Sequence, residues 1–267
     1  MTSIPPSPPS VPSPPSRCVL TKYAFVPFAS FVLSASVTIA QTPQCRDGEA
    51  SVMTTLRELL ARGDDTRARQ VVDSLSIDES GCAPLQLVKL ALTGWFEARA
   101  LAPFGGASER LAPVRGVLEQ LDRYRSQTGV RASPSPAVVA LEVEYAQTLI
   151  RAAIAAAQDE RPEMELLLGH ALDLVQRLEQ RGTPAAWPRP YNLAVGELWF
   201  EVDRYEEARA AYDRAVQAAP SAAALIGLAR AQARLGRLDQ ACATLKRARD
   251  AAPEVRAKAT ADVPRCR

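Results

Sequence analysis

A single histidine and two pairs of closely spaced glutamates are the residues best suited to acid–base chemistry in this 267-residue chain. His170 lies in Leu166-Leu167-Leu168-Gly169-His170-Ala171-Leu172, an apolar segment that reads as helix, where an imidazole packs or bridges an interface more readily than it serves as a base. Glu142 and Glu144, like Glu163 and Glu165, are two positions apart. On a helix that spacing sends the members of each pair to different sides, so neither pair converges on one reacting bond and both read as solvated faces. The chain has no G-x-S-x-G nucleophile elbow, no G-x-x-x-x-G-K-[ST] phosphate loop and no H-E-x-x-H metal helix. No cofactor is expected. A hydrolase or lyase would have to gather carboxylates distant in sequence into a deep cleft.

Five cysteines carry the remaining reactive groups. One histidine and the lack of any C-x-x-C spacing argue against a mixed cysteine–histidine zinc site, and no metal is expected. Cys18 precedes an apolar run, which leaves Cys45, Cys82, Cys242 and Cys266 beyond it, an even number that suits disulfides. Free buried thiols in a cytosolic chain are the competing reading. Cys45 comes before one expected helix and Cys82 after the next, so an antiparallel hairpin brings them together. Cys242, near the start of a helix, and Cys266, beyond the last one, stand in a looser version of the same relation. The expected bridges are Cys45–Cys82 and Cys242–Cys266, one of the three pairings four cysteines allow, each clipping one end of a helical array.

The first 40 residues differ from the rest. Residues 4 to 16, IPPSPPSVPSPPS, favour extended, solvated backbone and cannot bury a core. Arg17 and Lys22 then lead into the apolar run Tyr23 to Ala40, which is diluted by Ser30, Ser34, Ser36 and Thr38 and ends on a small residue before Gln41. This reads as a cleavable export signal, with translation starting further along, near Val19, as a variant of that reading. The alternative is an uncleaved inner-membrane anchor through residues 23–40.

The elements that would hold any site are helices. Val52, Leu56, Leu59 and Leu60 share one face over Ser51 to Ala61, and Gly63-Asp64-Asp65 breaks the pattern before Ala68, Val71, Val72 and Leu75. Val88, Ala91, Leu92, Trp95 and Phe96 mark another helix from Leu85 to Leu101. A further helix begins between Ser108 and Pro113 and runs to Arg125; Gly129 to Pro136 reads as a linker or hinge. Ala137 to Ala157 and Pro162 to Arg181 form a longer hairpin, followed by an irregular stretch from Gly182 to Pro190. No segment alternates long enough to make a strand, so the expectation is an all-α fold of about five helical pairs. Its expected divisions are a prefix over 1–40, N-terminal hairpins over 41–131, a central hairpin over 132–188, and C-terminal repeats with a terminal cap over 189–267.

Two stretches near the C-terminus repeat one pattern. Val195-Gly196, Trp199, Ala208, Tyr212, Ala215 and Pro220 are answered by Leu228-Ala229, Gln232, Ala241, Leu245, Ala248 and Pro253. Ala208 and Ala241 are 33 residues apart (241 − 208). Spacing and residue types resemble the tetratricopeptide repeat, a helix-turn-helix unit of ~34 residues, over 189–254, with a degenerate copy at 48–77. The resemblance implies antiparallel hairpins stacked as an α-solenoid, with small residues where helices cross closely and Tyr212 and Leu245 filling the gaps between units.

In that family the first helix of each repeat lines a concave surface. The resemblance places Leu193, Glu197, Phe200 and Glu201 there from one repeat, and Ile226, Arg230 and Arg234 from the next. Such a surface can hold an extended segment or helix of another protein. The alternative is that Phe200 and Ile226 are inter-repeat core and the charges only solvate the surface. The family's lysine–asparagine clamp for a chaperone's terminal carboxylate is not supplied by Leu193, Ala194 and Glu197. A net charge of +2 gives no general nucleic-acid signal, although Ala137 to Pro220 is acidic and Ser221 to Arg267 is basic. The expected partner is a protein or peptide, with membrane contact only if the N-terminal segment stays uncleaved. Arginine-for-lysine usage and richness in alanine point to a GC-rich bacterial gene. The resulting expectation is an exported, non-catalytic scaffold or peptide-binding protein of the bacterial cell envelope, periplasmic or secreted. An accessory subunit of an envelope enzyme or transport complex is the alternative, and an all-α enzyme with a carboxylate site is the third reading.

Overall fold

The computed structural model describes residues 47–76, 82–101, 110–131, 135–182 and 186–253, with Val263 and Cys266. All regular structure among them is helical. The elements are α1 (Asp47–Arg62), α2 (Asp65–Ser74), α3 (Ala83–Arg99), α4 (Leu111–Arg131) and α5 (Pro136–Ala157), then α6 (Arg161–Gln180), α7 (Tyr191–Glu201), α8 (Tyr205–Ala218), α9 (Ala222–Arg234) and α10 (Leu238–Ala251). They pack as the five expected pairs. Cys45, the proline-serine tract and the apolar run at 23–40 lie outside the described residues. No helix among the described residues is long and apolar enough to cross a membrane.

Four of the hairpin turns are built in one way. Gly63, Asp159, Asp203 and Gly236 take a left-handed backbone, with φ of 74°, 57°, 60° and 77°. The next amide then donates to the carbonyl five residues back: Asp64 to Leu59, Glu160 to Ala155, Arg204 to Trp199 and Arg237 to Gln232, each at 2.9 Å. That bond satisfies a carbonyl the ending helix leaves orphaned and sets the return direction of the chain. Five residues after each left-handed position comes a side chain with no solvent exposure, Ala68, Met164, Ala208 or Ala241. Four further on come Val72, Leu168, Tyr212 and Leu245, all buried. The α5–α6 hairpin therefore shares the geometry of the other three, although aspartate replaces glycine at its turn and methionine replaces the small residue at the crossing.

Helix α5 is the hub. It packs against α3, α4, α6 and α7, and its run of buried residues from Val138 to Ala157 covers most of its circumference, as a helix enclosed by neighbours requires. Where α3 meets α5 the backbones come close: a Cβ built on Gly94 would lie 2.5 Å from Ile150 Cδ1. Helix α4 extends to Arg131, so Gly129, expected to open a linker, is helical. One glycine costs a helix only ~1 kcal/mol, which the rest of α4 outweighs.

Two buried clusters form the core. The larger runs from α1 to α7, and the smaller joins α7 through α10, with Trp199 packing against both. In the smaller, the Tyr212 ring lies between Gly196 of α7 and Gly227 of α9. Cys242 and Cys266 form a disulfide with their Cα atoms 5.1 Å apart. It holds the end of the chain on α10, where Val263 and Cys266 join the core and Arg249 donates to the Cys266 carbonyl at 2.8 Å. Cys82, at the start of α3, is also disulfide-bonded, and its partner lies outside the described residues.

Candidate binding cleft

The first hairpin does not stop at its chain neighbour α3. Helix α1 also packs on α9, so the turn at Gly63–Asp65 faces the first helices of the two C-terminal hairpins. Between them lies a cleft of about 190 Å³, walled by Gly63, Asp65 and Arg99 on one side and by Glu197, Phe200 and Glu201 of α7 on another. Tyr212 and the α9 residues Ala223, Ile226, Gly227 and Arg230 complete it.

An ion cluster closes the base of the cleft. Arg99 ends α3, at the negative end of that helix, and Asp65 opens α2, at a positive one, so each charge also suits its helix dipole. Arg99 Nε donates to Glu201 Oε1 at 2.7 Å, and its Nη1 donates to Glu197 Oε2 at 3.2 Å and Asp65 Oδ2 at 3.4 Å. Arg189, whose side chain has no solvent exposure, bonds the other oxygens of the same two acids, Glu197 Oε1 and Asp65 Oδ1. Beneath the two guanidiniums lies Trp95, its ring centre 5.5 Å from Arg99 and 5.9 Å from Arg189. Trp187 meets Trp95 edge-on, with ring centres 5.8 Å apart. The arginines thus trade hydration for aromatic faces and carboxylates.

These surroundings act on the titrating groups. Burial alone would lower the Arg99 guanidinium, but Glu197, Glu201 and Asp65 outweigh it and hold Arg99 above its ordinary value. Burial pushes the Glu197 carboxyl up; Arg189 and Arg99 pull it back without cancelling the rise. Three acids in a cleft meet the first requirement of the carboxylate-enzyme reading. Arginine donors, however, occupy both oxygens of Glu197 and both of Asp65. Both carboxylates are thus partners of the two arginines.

Outside the cleft, His170 Nε2 lies 3.1 Å from Glu144 Oε1, across the α5–α6 hairpin and partly in solvent. Glu142 points elsewhere and accepts the Ala186 amide at 3.2 Å. Burial raises the Glu142 carboxyl, with the Ala186 bond opposing it. A carboxyl raised in the fold contributes stability that is fully present below its unfolded value and lost as pH rises through the folded one. Glu142→Gln keeps an acceptor for Ala186 and removes the charge. It is expected to raise Tm at about pH 7 and leave it unchanged at about pH 3, as thermal unfolding across that range would read.

The residues expected on the concave surface divide into three groups. Leu193 and Ile226 are core, with 2% and 4% exposure, although Ile226 still shows an edge to the cleft. Glu197 and Glu201 are committed to the ion cluster. Phe200, Arg230 and Arg234 form a surface ladder: Arg230 lies 4.4 Å over the Phe200 ring and Arg234 4.9 Å over Tyr205, while the two rings meet edge-on at 5.3 Å. Arg234 also bonds the Tyr205 hydroxyl and lies 3.7 Å from Asp203. Asp65, Arg99 and Arg189 were not expected in the site. The one local signal was Trp187-Pro188-Arg189-Pro190, an aromatic and an arginine stiffened by prolines immediately before α7.

The turn geometry, the small residues at each crossing and the pairing of α7 with α8 and α9 with α10 are those of a known helical repeat. A family model described as tetratricopeptide repeat matches residues 200–261, from the end of α7 through α10. This segment is tetratricopeptide-repeat-like. The same turn recurs in α1–α2 and α5–α6, outside the matched span, so the repeat is degenerate towards the N-terminus. No curated protein and no solved structure matches the chain. Tetratricopeptide repeats generally mediate protein–protein contacts and are generally not catalytic, which suggests a protein-binding scaffold role.

Proposed function

We propose that this protein is an exported scaffold of the cell envelope that captures a segment of another protein in the cleft between α7 and α9. The observation that carries the reading is a cleft on the first helices of the tetratricopeptide array, with an aromatic ring and a guanidinium at its mouth and an apolar wall along α9. Such a surface offers an anchor pocket and directional donors together. The ion cluster fixes the cleft's shape, so little ordering would be needed on binding.

Two features support export: the basic flank and apolar run ending at Ala40, and the use of cysteine in disulfides, at Cys242–Cys266 and at Cys82. Mass spectrometry of the protein from its own cells is expected to find a chain starting near Gln41. Unreduced digests should contain Cys45 linked to Cys82. An intact chain from Met1 in the cytosol would defeat the export reading.

Capture is tested by placing a photo-crosslinking side chain at Ala223, which lines the cleft, and in a second variant at Leu166, which is 75% exposed on α6. Adducts with a discrete protein are expected from Ala223 and not from Leu166. Equal yields from both positions, or none from Ala223, would reject the cleft as the working surface.

A further inference from the structure

Arg230 carries the one unmatched charge among the described residues lining the cleft. Asp65, Arg99, Glu197 and Glu201 are each bound to a charge of opposite sign. Arg230 is half-buried, and no carboxylate lies within ion-pair distance of it among the described residues. Its guanidinium rests over the Phe200 ring at 4.4 Å. That cation–π contact holds the guanidinium at the cleft, and its N–H donors suit a flat, two-oxygen acceptor. Beside it on α9 stand Ala223, Ile226 and Gly227, which offer contact without any hydrogen-bonding side chain. The cleft's 190 Å³ is below the ~300 Å³ or more of a site that encloses a whole small molecule, and suits one or two side chains of a longer chain.

We propose that the cleft recognises an acidic side chain adjoining an apolar one within a segment of another protein, with Arg230 pairing the carboxylate and the Ala223–Gly227 stretch receiving the apolar neighbour. The inference rests on the protein-binding reading of the cleft and specifies what that reading leaves open. Glu197 and Glu201 line the same cleft, and their charge disfavours a doubly charged phosphate more than a singly charged carboxylate. The carboxylate is that of an internal residue, because an α9 arginine flanked by apolar positions reads a side chain and its neighbour together.

The test selects random linear peptides displayed as N-terminal fusions, so that no free terminal carboxylate is presented, against the mature chain. Selected peptides are expected to be enriched in aspartate or glutamate next to an apolar residue, and selection on Arg230→Gln to lose that enrichment. For one selected peptide, either Arg230→Gln or replacement of its acid by the amide should weaken binding about tenfold or more, and the two changes together should cost little more than one. Arg234→Gln, which alters a guanidinium already paired with Asp203 and Tyr205, should leave affinity within a factor of about two. Circular dichroism checks that both variants fold. Enrichment of peptides without acids, or additive losses in the cycle, would overturn the role of Arg230 and leave capture by the cleft standing. No enrichment on the wild-type chain would overturn both.

Discussion

Arg189→Met is expected to lower the stability of the fold by ~3 to 5 kcal/mol, the cost of breaking a buried ion cluster by removing one partner. The side chain has no solvent exposure, and it bonds one oxygen of Asp65 and one of Glu197 while lying against Trp95. Methionine fills part of the volume and supplies no donor. Glu197, already raised by burial, would then keep Arg99 as its one ion-pair partner among the described residues. Adding Glu197→Gln to Arg189→Met should recover part of the loss, because it removes the uncompensated charge. Urea denaturation followed by circular dichroism reads both effects. A loss below ~1 kcal/mol would mean that the cluster is no better than an exposed pair.

Gly227→Ala is expected to cost ~1 to 3 kcal/mol, although alanine is the better helix former by ~1 kcal/mol. The reason is Tyr212, 2% exposed and held between Gly227 and Gly196, whose own added Cβ would lie 2.7 Å from the ring. A buried ring in contact with both glycines has little room to move aside, so α8 and α9 must shift. Combining Gly227→Ala with Tyr212→Leu should be less damaging than the sum of the two, since a narrower side chain makes room for the methyl. Gly236→Ala is the useful contrast: nothing stands within 4 Å of its added Cβ, and its cost comes only from the left-handed backbone at φ 77°.

What could be read in advance was what depends on neighbours in sequence. The Gly63 and Gly236 turns announce themselves because few other residues take that backbone readily. The buried faces of α3 and α5 follow from three-and-four spacing. The turn at Asp159 falls between the two expected helices of the central hairpin and that at Asp203 within the repeat, although aspartate does not signal the left-handed conformation as glycine does. The base of the cleft was the least legible part. Arg99 finds Glu197 98 residues away and Arg189 finds Asp65 124 residues away. Apart from the prolines beside Arg189, nothing local distinguishes these arginines from those on solvated faces. Glu197 and Glu201 line the cleft beside arginines from α3 and from the stretch before α7, and a row of units touching only neighbours does not contain the contact of α1 with α9.

That contact has a consequence for how the chain acquires its structure. Helical arrays generally fold fast because their contacts are local, and each hairpin can form as soon as it exists. Among the described hairpins α1–α2 is made first, but α9, on which α1 packs, comes more than a hundred residues later, as do Glu197 and Arg189, which pair with Arg99 and Asp65. Joining them closes a long loop, at an entropic cost that grows only slowly with its length. At the ~5 to 20 residues per second of synthesis, this hairpin waits about 10 to 30 seconds for its surface. The earliest of the described helices completes its contacts only once α9 exists.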